Sequence, residues 1–223
     1  MSILSADSAS AARPRRLLHT ALAVATVLVL SGCAVGTAQP RVAVYDFGPG
    51  SLTAATAPAK RLGTIILMDV DAVGALEGNA LMYRLGYSEA QQLRPYAQAR
   101  WGMPPAQLLR QRLREHLSQR RAVLAPGDAP PGSQPTLRVE LDEFSHYFDS
   151  PTSSVGLVRA RATLVFLASG GERVALQTSL SARQPADTAD AVGGTRALAL
   201  ASETLLVQLD QWLQKSLPEP TTP

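Results

Sequence analysis

The chain of 223 residues holds one cysteine, three histidines and only 5% aromatic residues. A single cysteine excludes an intramolecular disulfide, so packing alone must stabilise the fold. The scarcity of histidine leaves few general bases and few metal ligands. Chemical motifs are missing as well: there is no phosphate-binding loop, no zinc-ligand spacing and no nucleophile elbow. Charge of one sign is also short. The net charge is only +3, and residues 1–32 carry Arg13, Arg15, Arg16 and Asp7. Without them, 18 of the 21 basic residues face 17 of the 18 acidic ones. That balance excludes nucleic acid as a partner and excludes a polybasic membrane-binding surface. The apolar run Ala21–Leu30 is ten residues long, well short of the ~20 that span a bilayer.

That short run fits a signal peptide. Arg13, Arg15 and Arg16 form its cationic segment, and Leu30, Ser31, Gly32 and Cys33 follow it. An apolar residue, two small residues and a cysteine form the lipobox read by signal peptidase II. The small residues let the backbone enter the protease extended, and the thiol of Cys33 accepts the lipid. A single acyl chain holds a membrane only marginally, whereas a lipoprotein normally carries three. Position 34 is Ala rather than Asp, which by sorting convention favours the outer membrane, facing the periplasm. Cleavage before Cys33 leaves 191 residues, enough for one domain with a core.

The expected organisation is a signal peptide at 1–32, a lipidated tether at 33–40, one domain at 41–217 and a disordered tail at 218–223. Seven extended residues of tether reach ~25 Å, so the domain should sit close to the membrane. Val42–Phe47 and Thr64–Val70 read as strands, with a loop at 51–60 between them. Leu81–Arg84 reads as a short strand. The segment 89–103 reads as irregular, extended only near Arg94–Ala97, because Pro95, Gly102 and Pro104 interrupt it. Pro104 and Pro105 open a helix running to about Arg121. Its Leu109, Leu113 and Leu117 share one face with Leu108, and Arg110, Arg112, Arg114, Glu115 and Arg120 take the other.

After a loop at 126–135 the pattern becomes a β-meander. Leu137, Val139 and Leu141 alternate with charged residues, and Phe144 breaks the alternation, which predicts a bulge near Asp142-Glu143. Val158–Phe166 and Val174–Leu180 follow, joined by a hairpin at Ser169-Gly170-Gly171. A last helix starts around Asp187, Thr188 and Asp190 and buries Leu198, Leu205, Leu209, Trp212 and Leu213. Gly193 and Gly194 near its start mark a kink or a close helix–sheet contact. The class is α+β: a mostly antiparallel, mixed sheet with two amphipathic helices packed on one face.

No catalytic residue, metal or cofactor is expected. His116 and His146 lie in no nucleophile or metal motif. Glu140, Asp142, Glu143 and Asp149 lack the glycine-containing loop of calcium sites and read as a solvated strand face. Tyr45, Phe47, Tyr83, Tyr87, Tyr96 and Trp101 concentrate in the first half. Core packing accounts for most of them, and Tyr45, Phe47, Tyr83, Tyr96 and Trp101 are the candidates for binding a partner.

Several short segments also resemble a known family. These are Val44-Tyr45-Asp46-Phe47-Gly48-Pro49, Met82-Tyr83-Arg84, Tyr96-Ala97 and Arg100-Trp101-Gly102-Met103-Pro104-Pro105 before the leucine-rich helix. Leu137–Phe144 and the terminal Trp212-Leu213 add to them. In this order they resemble the PqiC-like, ABC-type transport auxiliary lipoproteins over nearly the whole mature chain. One departure is Gly102-Met103, where the family usually has an acidic residue. The resemblance implies a non-enzymatic part of a lipid transport system, in which an ATPase and a permease work with a periplasmic MCE-domain protein. It also implies contact with that MCE protein from the outer-membrane side, and some members are homo-oligomers. A lipoprotein chaperone or plug for an outer-membrane assembly machine is the alternative, and an anchored hydrolase would need a nucleophile that the sequence does not display.

Overall fold

A computed structural model describes residues 41–50, 62–130, 134–167 and 171–217. Leu30, Ser31, Gly32 and Cys33, the tether, the loop at 51–60, Ser169, Gly170 and the tail from Pro218 lie outside the described residues. The strands are β1 (Ala43–Tyr45), β2 (Ile65–Ala72), β3 (Ala80–Leu85), β4 (Glu89–Trp101), β5 (Val123–Leu124), β6 (Thr136–Phe148), β7 (Ser154–Leu167) and β8 (Arg173–Pro185). The helices are α1 (Pro105–Ser118) and α2 (Ala191–Ser216). All described residues fall in one compact unit, Arg41–Pro223.

Strand β6 organises the sheet. One of its edges pairs with β7 over its whole length, and β7 pairs with β8. Its other edge is shared end to end, with β2 alongside Thr136–Leu141 and β3 alongside His146–Phe148. Beyond β3 come β4 and β1, and beyond β2 comes β5. The long β6–β7 and β7–β8 ladders are antiparallel. Four of the seven pairings are nevertheless parallel, so the fold is α+β with a mixed, open sheet.

The side-chain alternation explains where the core lies. Leu137, Val139 and Leu141 of β6 are buried, as are Val158, Ala160, Ala162 and Leu164 of β7. A register shift at Asp142 then moves Phe144, His146 and Phe148 onto the same inner face, at the predicted bulge. Helix α2 lies across β7 and β8, α1 lies across β2 and β5, and the two helices touch. Leu108, Leu109, Leu113 and Leu117 of α1 join the core, together with Leu198, Leu205, Leu209 and Leu213 of α2. Asp190 caps α2, its carboxylate accepting from the Gly193 amide at 2.9 Å.

Two expectations change. Residues 89–101 form one 13-residue strand rather than an irregular stretch. Pro95 is tolerated because the ladder with β3 is irregular beside it, and β1 reaches only Ala99–Trp101 on the other side. Arg112 is buried, not on the solvent face of α1. It follows Leu109 by three positions and so flanks the apolar stripe, from where its guanidinium reaches acceptors in β1's trailing turn.

Candidate docking surface

Three of the sequence candidates sit together behind β1. Phe47 stands edge-on to Trp101, with ring centroids 5.7 Å apart, and stacks on Phe144 at 6.0 Å. Trp101 meets Phe144 edge-on at 5.5 Å. Tyr45 and Phe47 are partly buried against this cluster. Trp101 has 0% of its surface exposed. Its ring therefore builds the core and presents nothing to a partner, a correction to its place among the contact candidates.

What β1 and the residue before it present outward are the positions that alternate with Ala43 and Tyr45. Val42 and Val44 are 45% and 55% exposed, and Met103 is 37% exposed. Val44 Cγ1 lies 3.6 Å from where a side chain on Gly102 would begin, so Val44 and Gly102 share one surface, whereas Met103 lines a groove with Val70, Ala106 and Arg110. A side chain at position 102 would fit in ordinary contact there. The departure to Gly102-Met103 thus changes the surface chemistry and leaves the fold alone. The period-2 pattern of Val42-Ala43-Val44-Tyr45 is the sequence signal that marks these residues.

This edge is held rigidly. The Gly102 amide donates to the Tyr45 carbonyl at 2.7 Å. Arg112 Nη2 donates to the carbonyls of Phe47 at 2.7 Å and Gly48 at 3.1 Å. The same guanidinium pairs with Glu203 of α2 at 3.1 Å and with Glu115 at 3.3 Å. One buried cation therefore clasps β1's turn to both helices. Gly50 needs its positive φ of 70° and its missing side chain there, because a Cβ would collide with that guanidinium.

Tyr83 and Tyr96 belong to a second cluster. Their rings lie 4.8 Å apart, and Phe148 packs against Tyr83 at 6.1 Å and against His146 at 4.3 Å. His146 is 0% exposed. Its Nδ1 is hydrogen-bonded to the Tyr96 hydroxyl at 2.8 Å and its Nε2 to Ser154 Oγ at 2.7 Å. A neutral ring carries one proton, so one nitrogen donates and the other accepts. Burial pushes the His146 pKa down to about 4, opposed in part by the Asp190 carboxylate. Burial also raises the Tyr96 pKa, and Tyr83 and Asp190 add to the rise. A serine–histidine pair is a nucleophile's geometry, but Ser154 is buried too and α2 covers the pair. The three side chains join β4, β6 and β7 beneath the start of α2.

The depressed pKa has a defined consequence. Between pH 6.5 and 4 the unfolded chain takes up a proton that folded His146 refuses, so stability falls as pH falls through that window. Urea unfolding should show the wild type losing about 2 kcal/mol more than His146→Phe between pH 7 and pH 5. Equal losses in the two proteins would refute this role.

Three of the four acidic residues singled out in the sequence carry an ion pair. Glu140 pairs with Arg161 at 3.1 Å, Glu143 with Arg84 at 3.0 Å and Asp149 with Arg183 at 2.9 Å. His116 stays half-buried in the last turn of α1.

The molecule is thus an α+β domain with a rigid aromatic core under an apolar sheet edge. The chain belongs to the ABC-type transport auxiliary lipoprotein components, whose family model matches residues 45–210. Among solved structures it is similar to the protein XCC0632 from Xanthomonas campestris, at 15% identity and a TM-score of 0.58. That match covers 78% of this chain and 98% of the other. It is also similar to an uncharacterized protein at 15% identity and a TM-score of 0.53, covering 78% and 99%. A weaker likeness, with a TM-score of 0.46 and 10% identity, is to the hypothetical protein CT253 from Chlamydia trachomatis, covering 70% and 96%. The first two likenesses show the fold. No curated protein matches the chain.

Proposed function

We propose that this lipoprotein is the outer-membrane-anchored, periplasmic component of an ABC/MCE-type lipid transport system, and that it docks the system's MCE-domain protein without catalysing a reaction. The family match over 45–210 carries this reading. The apolar edge formed by Val42 and Val44 is the docking surface it uses. Tyr45, Phe47 and Trp101 support that edge from behind, while Tyr83 and Tyr96 brace the start of α2. Cys33 carries the lipid, attached to its thiol before cleavage after Leu30-Ser31-Gly32, and Ala34 directs it outward.

Affinity purification of the full chain from detergent-solubilised envelopes tests the reading. The wild type should recover an MCE-domain protein and a permease. Val44→Asp puts a charge in the contact without touching the core, and should recover about tenfold less of both. A wild-type eluate holding neither, or holding a β-barrel assembly protein instead, would count against the proposal. A Cys33→Ser chain given an ordinary cleavable signal peptide in place of residues 1–32 should leave the membrane fraction while still recovering the MCE protein in vitro. Such a protein that stays membrane-bound would remove the anchor from the account.

A further inference from the structure

The outer face of the sheet, opposite the helices, holds a feature that docking does not use. The register sets Ile66, Thr136, Val165 and Ala175 in one row across β2, β6, β7 and β8, all on this face. Two adjoining grooves meet at Thr136. One, of about 510 Å³, is lined by Ile66, Met68, Thr136 and the loop 126–130. The other, of about 390 Å³, is lined by Gln134, Thr136, Val165, Leu167 and two arginines, Arg138 and Arg173. Leu167 is 52% exposed at its rim. Neither Arg138 nor Arg173 has an acidic partner among the described residues, and Glu140, the acid nearest Arg138 along β6, is taken by Arg161.

We propose that this trough binds an anionic phospholipid, with an acyl chain along the Ile66–Thr136–Val165–Ala175 row and the headgroup phosphate taken by the bordering arginines. Three observations favour this occupant. The row crosses four strands, roughly 14 Å at ordinary strand spacing. That matches one acyl chain, about half of the ~30 Å hydrocarbon core of a bilayer. The strands beneath Thr136 and Val165 are paired on both sides, so their backbones have nothing to offer a peptide strand. Two guanidiniums with no acidic partner among the described residues, beside an apolar floor, complement an anion attached to a hydrocarbon, and arginine suits phosphate geometry. The inference is independent of the docking reading, because the trough and the β1 edge share no residue.

The test uses the full chain in detergent with two photoactivatable probes, phosphatidylglycerol and phosphatidylcholine, each with a diazirine in its acyl chain. Phosphatidylglycerol should label peptides containing Ile66–Met68, Thr136–Arg138 or Val165–Leu167, about tenfold more than phosphatidylcholine does. Arg138→Gln with Arg173→Gln should reduce it to the phosphatidylcholine level. Val165→Asp should abolish labelling by both probes, and Leu167→Asp at the exposed rim serves if Val165→Asp unfolds the chain by circular dichroism. Labelling confined to other peptides, equal labelling by the two probes, or labelling that survives the aspartate would overturn the proposal. The transporter pull-down reads the other edge, so a failure there leaves this result standing.

Discussion

Gly194→Ala should destabilise the domain by about 3 kcal/mol, a large effect for one methyl group. A Cβ at this position would clash with the edge of the His146 ring, at Nδ1 and Cγ. That ring cannot retreat. Both its nitrogens are hydrogen-bonded, Phe148 packs on it at 4.3 Å, and no part of it is exposed. The start of α2 must therefore lift. Gly156 has the same geometry, its missing side chain letting the Ala197 backbone touch β7. The two glycines let α2 lie directly on the sheet. Because the clash is with one side chain, His146→Ala should relieve it. In urea unfolding the double variant should cost clearly less than the sum of the two single ones, the sign of direct coupling. Strict additivity, or a Gly194→Ala protein as stable as the wild type, would refute the contact.

Trp101→Ala should cost about 4 kcal/mol, the range for emptying a large aromatic site. The hole would open between Phe47 and Phe144, and the support behind β1 would go with it. Trp101→Phe should behave differently. The indole Nε1 is buried without a partner among the described residues. Phenylalanine keeps the edge-on packing and removes a donor that folding leaves unsatisfied, so the loss should stay near 1 kcal/mol. Chemical denaturation of the two variants separates these outcomes. Trp101→Phe should also retain the transporter in the pull-down, since this ring has no exposed surface. A phenylalanine variant as unstable as the alanine one would show that the indole nitrogen matters.

Legibility in the sequence followed the range of each interaction. The Leu109-Leu113-Leu117 stripe, the β7 alternation and the bulge at Asp142 are local patterns, and they appear in the fold as read. Strand β4 was obscured because its neighbours leave most of it polar and half-exposed, so neither alternation nor hydrophobicity marks it. The parallel pairings of β6 with β2 and β3 depend on crossovers that no periodicity encodes. The Tyr96–His146–Ser154 chain joins residues 50 and 8 positions apart through that register, and no spacing rule finds it. Arg112 read as a surface charge because composition cannot reveal that the Phe47 and Gly48 carbonyls await it. Tyr45, Phe47 and Trp101 pack inward at this edge because of their size, and the smaller Val42 and Val44 form its outer surface.

The most direct measurement is photo-crosslinking in living cells, with a photoreactive amino acid at Val44 and, as a control, at Gln177 on the opposite side of the sheet. The account predicts an adduct between position 44 and an MCE-domain protein, identified by mass spectrometry, and no such adduct from position 177. An adduct to a β-barrel protein, or the same MCE adduct from both positions, would contradict it.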